Sequence, residues 1–98
     1  MDKKEINKLL KDLYYHNDVI AYDKIYYYMK NYVEKSSKYL IDRFLTKKDI
    51  YTDEEIIEQV FLEFFLESTS EKIRINSIEE FRNIFINIIF DIIIQLNY

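Results

Sequence analysis

The sequence predicts an all-α, single-domain protein, a compact bundle of four helices over residues 1–98, with a fifth if residues 41–49 add a short one. Three observations predict this class. The chain of 98 residues contains no Gly and no Pro, and left-handed turns, tight hairpins, P-loops and Rossmann turns all lean on Gly. Apolar residues recur at three- and four-residue spacing along most of the chain, the period of a helix with one buried face. Hydrophobic residues at 49% and charged residues at 33% make a globular balance, and a chain of this size buries about two-thirds of its unfolded surface in one core.

The first helix is expected over about residues 3–15. Asp2 and Glu5 form its cap signature, and Ile6, Leu9, Leu10, Leu13 and Tyr14 make one stripe. His16-Asn17-Asp18 is a polar break suited to ending one helix and capping the next. A second, longest helix runs from Val19 to Leu40 or beyond. Its stripe is Tyr22, Ile25, Tyr26, Met29, Tyr32, Val33, Ser36 and Leu40, with small Ser36 allowing a close helix approach. Thr46-Lys47-Lys48-Asp49 is a charged connector.

The central helix starts at Thr52. Thr52 and Glu55 have capping-box spacing, in which hydroxyl and carboxylate each accept an amide hydrogen. Ile56, Ile57, Val60, Phe61, Phe64 and Phe65 fix a buried face, and Glu54, Glu58, Gln59, Glu63 and Glu67 lie opposite. Residues Glu67 to Lys72 are the least apolar stretch and read as a loop. Ser77 and Glu80 open a last helix to about Leu96, with Phe81, Ile84, Phe85, Ile88, Ile89, Ile92, Ile93 and Leu96 inward. Ile86, Phe90 and Ile94 extend that face most of the way round, leaving a polar stripe of Asn83, Asn87, Asp91 and Gln95. The Ile-rich run also has strand propensity, so a strand over 84–94 is the alternative. A helix this apolar needs cover on several sides. Ile86, Phe90 and Ile94 therefore read as an oligomer interface, with burial beneath the first helix as the competing explanation.

Charge is divided along the chain. Residues 1–48 carry 11 Lys/Arg against 7 Asp/Glu and residues 49–98 carry 3 against 11, for a net charge of −4. The halves are expected to attract one another, any basic partner is expected on the second half, and direct DNA binding is expected to be weak or absent. Zero Cys excludes disulfides and thiolate metal sites. The only His, His16, offers no Glu-x-x-His pair for a di-metal bundle. No cofactor, metal or catalytic centre is expected. With no signal-like apolar start and no run long enough to span a bilayer, the protein is expected to be cytoplasmic. Tyr26-Tyr27-Tyr28 beside Lys24 and Lys30 would suit base stacking, but helical spacing turns Tyr26 to the core and leaves its neighbours at the helix edge.

The order of Ala21 to Tyr26, Tyr39-Leu40, Thr52 to Phe65, and Phe81 to Phe85 with Ile88 resembles region two of bacterial sigma factors, the extracytoplasmic-function kind especially. The resemblance covers about Asn17 to Tyr98 and is most specific in the Thr52 block. It implies a sigma region-two-like helical module that docks on the clamp helices of RNA polymerase's largest subunit, or on a sigma-type partner, through the central helix. Position by position it places Asp53, Glu55, Glu58, Gln59 and Glu63 at or near that contact. Carboxylates and an amide on a rigid helix suit charge-assisted bonds to Arg on a coiled coil. Ile84 stands where the family has Trp, and Asn87, Phe90 and Tyr98 where it has Arg. With no second DNA-reading region following, the resemblance implies a truncated relative acting through protein contacts, with weakened or no autonomous promoter binding. The alternative from another class is a small acidic neutralising bundle, either a bacteriocin-immunity protein or an antitoxin.

Overall fold

The computed structural model describes all 98 residues and contains four helices and no strand: α1 (Lys3–His16), α2 (Val19–Phe44), α3 (Asp53–Ser70) and α4 (Ile78–Asn97). The expected bundle is present with four helices. Residues 41–44 complete α2, and a single turn closed by Ile50 N–H to Lys47 O (3.2 Å) replaces any fifth helix. The run 84–94 is helical throughout. No helix is long and apolar enough to cross a membrane.

Each start is fixed by a short polar side chain, because the first amides of a helix lack intrahelical acceptors. Asp2 accepts from Glu5 N–H (2.9 Å), Asp18 from Ile20 N–H (2.9 Å), Thr52 from Glu55 N–H (3.2 Å) and Ser77 from Glu80 N–H (3.1 Å). The reciprocal half of the capping box differs from expectation. Glu55 accepts the Thr52 hydroxyl (3.1 Å), while Glu80 accepts Asn76 N–H (2.7 Å). Asn17 ends α1 in the left-handed region at φ 48°, ψ 42°, where its own N–H reaches Leu13 O (3.0 Å). Asn tolerates that conformation better than most residues, which suits a chain without Gly.

The helices bury a single cluster of 22 apolar residues. α2 and α3 form the middle pair, each packed against both α1 and α4. At the centre Phe64 stacks on Phe85 (centroids 4.5 Å), and Phe81 meets both edge-on. Tyr26 and Tyr22 of α2 meet Phe61 (4.7 Å) and Phe65 (5.1 Å) of α3 edge-to-face. Such pairs contribute about 0.5–1.5 kcal/mol beyond the area they bury.

Two sequence expectations are corrected. On α2 the buried small residue is Ser37, with no exposure, while Ser36 is only half-buried. Met29, Val33, Ser37 and Ile41 form one four-residue row, and Ser36 falls beside it. Residues 67–70 are the last turn of α3 rather than a loop. Ser68 continues the Val60, Phe64 row into the core, and the hydroxyls of Ser68, Thr69 and Ser70 donate to the carbonyls of Phe65 and Leu66. Burial of Ser68 in that row holds helical a polar segment that its composition assigned to coil, and the hydroxyl bonds satisfy the buried and half-buried side chains within the turn.

The connector 71–77 is fixed by its buried Ile75 and by a paired hydrogen bond from α1. Asn7 Nδ2 donates to Ile75 O (3.0 Å), and Ile75 N–H donates to Asn7 Oδ1 (2.9 Å). An amide side chain here takes the place of a strand neighbour. At the other end Asn97 accepts from Thr46 N–H (2.8 Å) and donates to Phe44 O (2.8 Å), joining the end of α4 to the end of α2.

Candidate functional site

The exposed side of α3 is the sequence-predicted docking surface, and its neighbours divide it in two. Glu55, Gln59, Glu63 and Glu67 follow at four-residue spacing and border the groove between α3 and α4. Asp91 and Gln95 of α4 stand on the opposite border, and Ile88 and Ile92 lie between them. Glu58 falls on the other flank, with Leu62 and Phe65 beside Val19 and Tyr22 of α2. Asp53 is partly covered at the helix start. The structure therefore brings together three of the five predicted residues, Glu55, Gln59 and Glu63, and separates Glu58 from them. It adds Glu67 and Asp91, and it leaves Leu62, on the Glu58 flank, and Leu66 each 49% exposed.

The electrostatics of this groove are one-sided. Gln59 Nε2 donates to Glu63 Oε1 (2.8 Å), holding two members of the stripe in register. No α3 carboxylate forms an ion pair, since the one salt bridge in the molecule is Lys48 to Asp42 (3.5 Å). The expected attraction between the basic and acidic halves thus produces no close ion pair between them. Glu67 is pushed above the ordinary carboxylate range, first by partial burial and then by Glu71, Asp91 and Glu63. It also sits in the last turn of α3, where the helix dipole disfavours a negative charge and no basic side chain compensates. An acidic first turn is stabilised by the same dipole, so the carboxylates at the two ends of α3 stand in opposite helix-dipole environments.

Ile86 and Phe90 of α4 lie against α2 rather than α1, and Ile94 is left open. Phe90 meets Phe44 (centroids 5.5 Å), and Ile86 borders a shallow groove with Tyr32, Tyr39 and Leu40. Ile86 and Phe90 are half-buried, and Ile94 is 51% exposed. Among the positions that differ from the sigma pattern, Ile84 is half-buried, Asn87 is exposed and Tyr98 is exposed at the C-terminus. Tyr27 is exposed, while the Tyr28 hydroxyl donates to Met1 O (3.3 Å).

A second charged surface is absent from the sequence reading. Lys3, Lys4, Lys8 and Lys11 of α1 meet Lys72 and Arg74 of the 71–77 connector around a groove of about 530 Å³. All six cations are exposed and none lies in a salt bridge. Lys72 Nζ lies 5.5 Å from the centroid of the exposed Tyr15 ring. Its ammonium is pushed above the usual lysine value, first by hydrogen bonding to the Tyr15 side chain and then by that phenol's charge. The spacing of Lys4, Lys8 and Lys11 on one helix is the one local signal the sequence carries for it, and its two second-half members lie 61 and more residues away along the chain. No group of His, Asp and Glu side chains is arranged to hold a metal ion. No known protein family, curated protein or solved structure matches this chain.

Proposed function

We propose that the protein is a sigma region-two-like module that acts in transcription through protein contacts. Its target is the clamp helices of RNA polymerase or a sigma-type partner, in the cytoplasm and without autonomous promoter binding. The observation that supports this reading is the unpaired acidic stripe Glu55, Gln59, Glu63 on the outer side of a capped helix. Carboxylates that have no internal cation remain open to Arg on a facing coiled coil, where charge-assisted pairing gives both register and attraction. Exposed Leu66, one residue before Glu67, adds apolar area beside the stripe. Self-association through Ile86, Phe90 and Ile94 belongs to the same proposal, with Ile94 the most accessible of the three, and a strictly monomeric wild type in sedimentation at tens of micromolar removes it.

A pull-down with RNA polymerase tests the docking reading, and the two flanks of α3 make it specific. Wild type is expected to retain polymerase, and Gln59→Ala with Glu63→Arg is expected to abolish retention. Glu58→Arg, on the α2 flank, is expected to weaken it less. Absence of retention by wild type, or equal retention by all three, removes the proposal.

A further inference from the structure

The six cations of the α1 groove have no role in docking through α3, and their arrangement carries a separate conclusion. Along α1, Lys3 to Lys11 spans about 12 Å at the helical rise. Lys72 and Arg74 face that row because Asn7 clasps Ile75 and sets the connector against α1. The groove has one apolar residue, Ile73, on its border and no carboxylate. Glu5 and Asp12 of the same helix do not line it. Like charges gathered on one surface repel one another, and here no acidic side chain offsets the repulsion. An anion bearing several charges in a small volume does so.

The size and the surroundings narrow that anion. A groove of about 530 Å³ lies within the usual 300–1,000 Å³ range of small-molecule sites. The chain as a whole carries −4, and the α3–α4 groove adds an acidic surface elsewhere, so a long polyanion meets repulsion beyond the groove while a compact one does not. Lysine ammoniums and an Arg guanidinium are the common binders of phosphate oxygens, Arg through its paired donors. The exposed Tyr15 ring beside Lys72 offers a flat surface on which a base stacks. We propose that this groove binds a small oligophosphate, with Lys8, Lys11, Lys72 and Arg74 holding the phosphates. The two sources of that chemistry are a nucleoside polyphosphate, which also uses Tyr15, and an inorganic oligophosphate, which does not.

Titration calorimetry with ATP, AMP and inorganic tripolyphosphate at low salt tests this on the full chain. ATP and tripolyphosphate are expected to bind, with AMP at least about tenfold weaker, and with affinity falling as salt screens the charges. Lys8→Glu with Lys11→Glu is expected to lower affinity by about tenfold or more. Lys35→Glu with Lys38→Glu makes the same change in net charge on α2, outside the groove, and is expected to leave affinity within about twofold. All four positions are exposed, so both variants retain the fold, and a thermal melt verifies it. Tyr15→Ala separates the sources. Weaker ATP with unchanged tripolyphosphate identifies a nucleoside polyphosphate, and no change in either identifies an inorganic one. Absence of binding by both at millimolar concentration overturns the proposal, as does equal loss in the α2 variant. A single-stranded oligonucleotide held about a hundredfold more tightly than ATP through the same lysines also overturns it, in favour of a nucleic-acid strand.

Discussion

Replacing Asn7 with alanine removes the only side chain that satisfies the Ile75 backbone, and the structure sets the size of the effect. Ile75 is 1% exposed, and its N–H and C=O are both bonded to Asn7, at 2.9 and 3.0 Å. A hydrogen bond contributes about 1 kcal/mol net, and a buried group left without a partner costs about 1–3 kcal/mol. Asn7 itself is only partly buried, so water reaches part of the vacated space and the lower end applies. The expected loss is about 2 kcal/mol, and for a domain near one hundred residues that lowers Tm by about 8–16 °C. Urea denaturation followed by circular dichroism measures it, with Lys8→Ala on the next residue as control, expected within about 0.5 kcal/mol of wild type. Hydrogen exchange supplies the local readout. The Ile75 amide is expected to be protected in wild type and to exchange rapidly in Asn7→Ala, while amides in the middle of α3 remain protected. A loss below about 0.5 kcal/mol, or an Ile75 amide that stays protected, refutes the clasp as the element that fixes the connector.

The buried hydroxyl of Ser37 has no hydrogen-bond partner, so Ser37→Ala is expected to raise stability by about 1 kcal/mol. Ser68→Ala is the counter-case, because that equally buried hydroxyl donates to Phe65 O (3.1 Å), and no gain is expected in the same denaturation series. Glu67 has a folded-state pKa raised above the reference of 4.5, so its protonated form favours folding. That stabilisation is fully present below pH 4.5 and is lost as pH rises through the folded value. Glu67→Gln is therefore expected to exceed wild type in stability at pH 7 by about 0.5 kcal/mol, the size of relieving two like-charge contacts four residues apart. The difference is expected to close below pH 4.5 and to shrink in high salt. A difference constant from pH 4 to pH 7 would show that Glu67 does not titrate with its acidic neighbours.

Helix starts were legible because the chemistry of a start is local. An Asp, Ser or Thr three residues before an acceptor-poor amide decides it, and all four caps lie where the sequence puts them. The end of α3 was not legible for the opposite reason. Ser68, Thr69 and Ser70 carry hydroxyls that serve coil and helix equally well, and what holds them helical is the core position of Ser68, four residues after Phe64. The exchange of Ser36 for Ser37 has the same origin. Adjacent serines have the same local preference, and only the row of Met29, Val33 and Ile41 distinguishes them, once α2 is seated on its neighbours.

The two charged surfaces differ in how far one-dimensional reading reaches them. The acidic residues of α3 lie on one helix, so their type and spacing were visible. Their division into a stripe facing α4 and a flank facing α2 required knowing which helix stands on which side. The basic groove crosses the boundary between the halves of the chain: Lys72 and Arg74 lie in the half whose summed charge is negative, and they reach the α1 lysines only through the bonds between Asn7 and Ile75. Counting charge by halves therefore predicts an attraction across the fold that no ion pair expresses, and it conceals a repulsion that the clasp enforces. A bundle that forms one close salt bridge while gathering six unpaired cations on one surface and Glu63, Glu67, Glu71 and Asp91 near another derives its stability from its apolar cluster, its caps and its amide clasps. Its charges contribute little to holding the fold together.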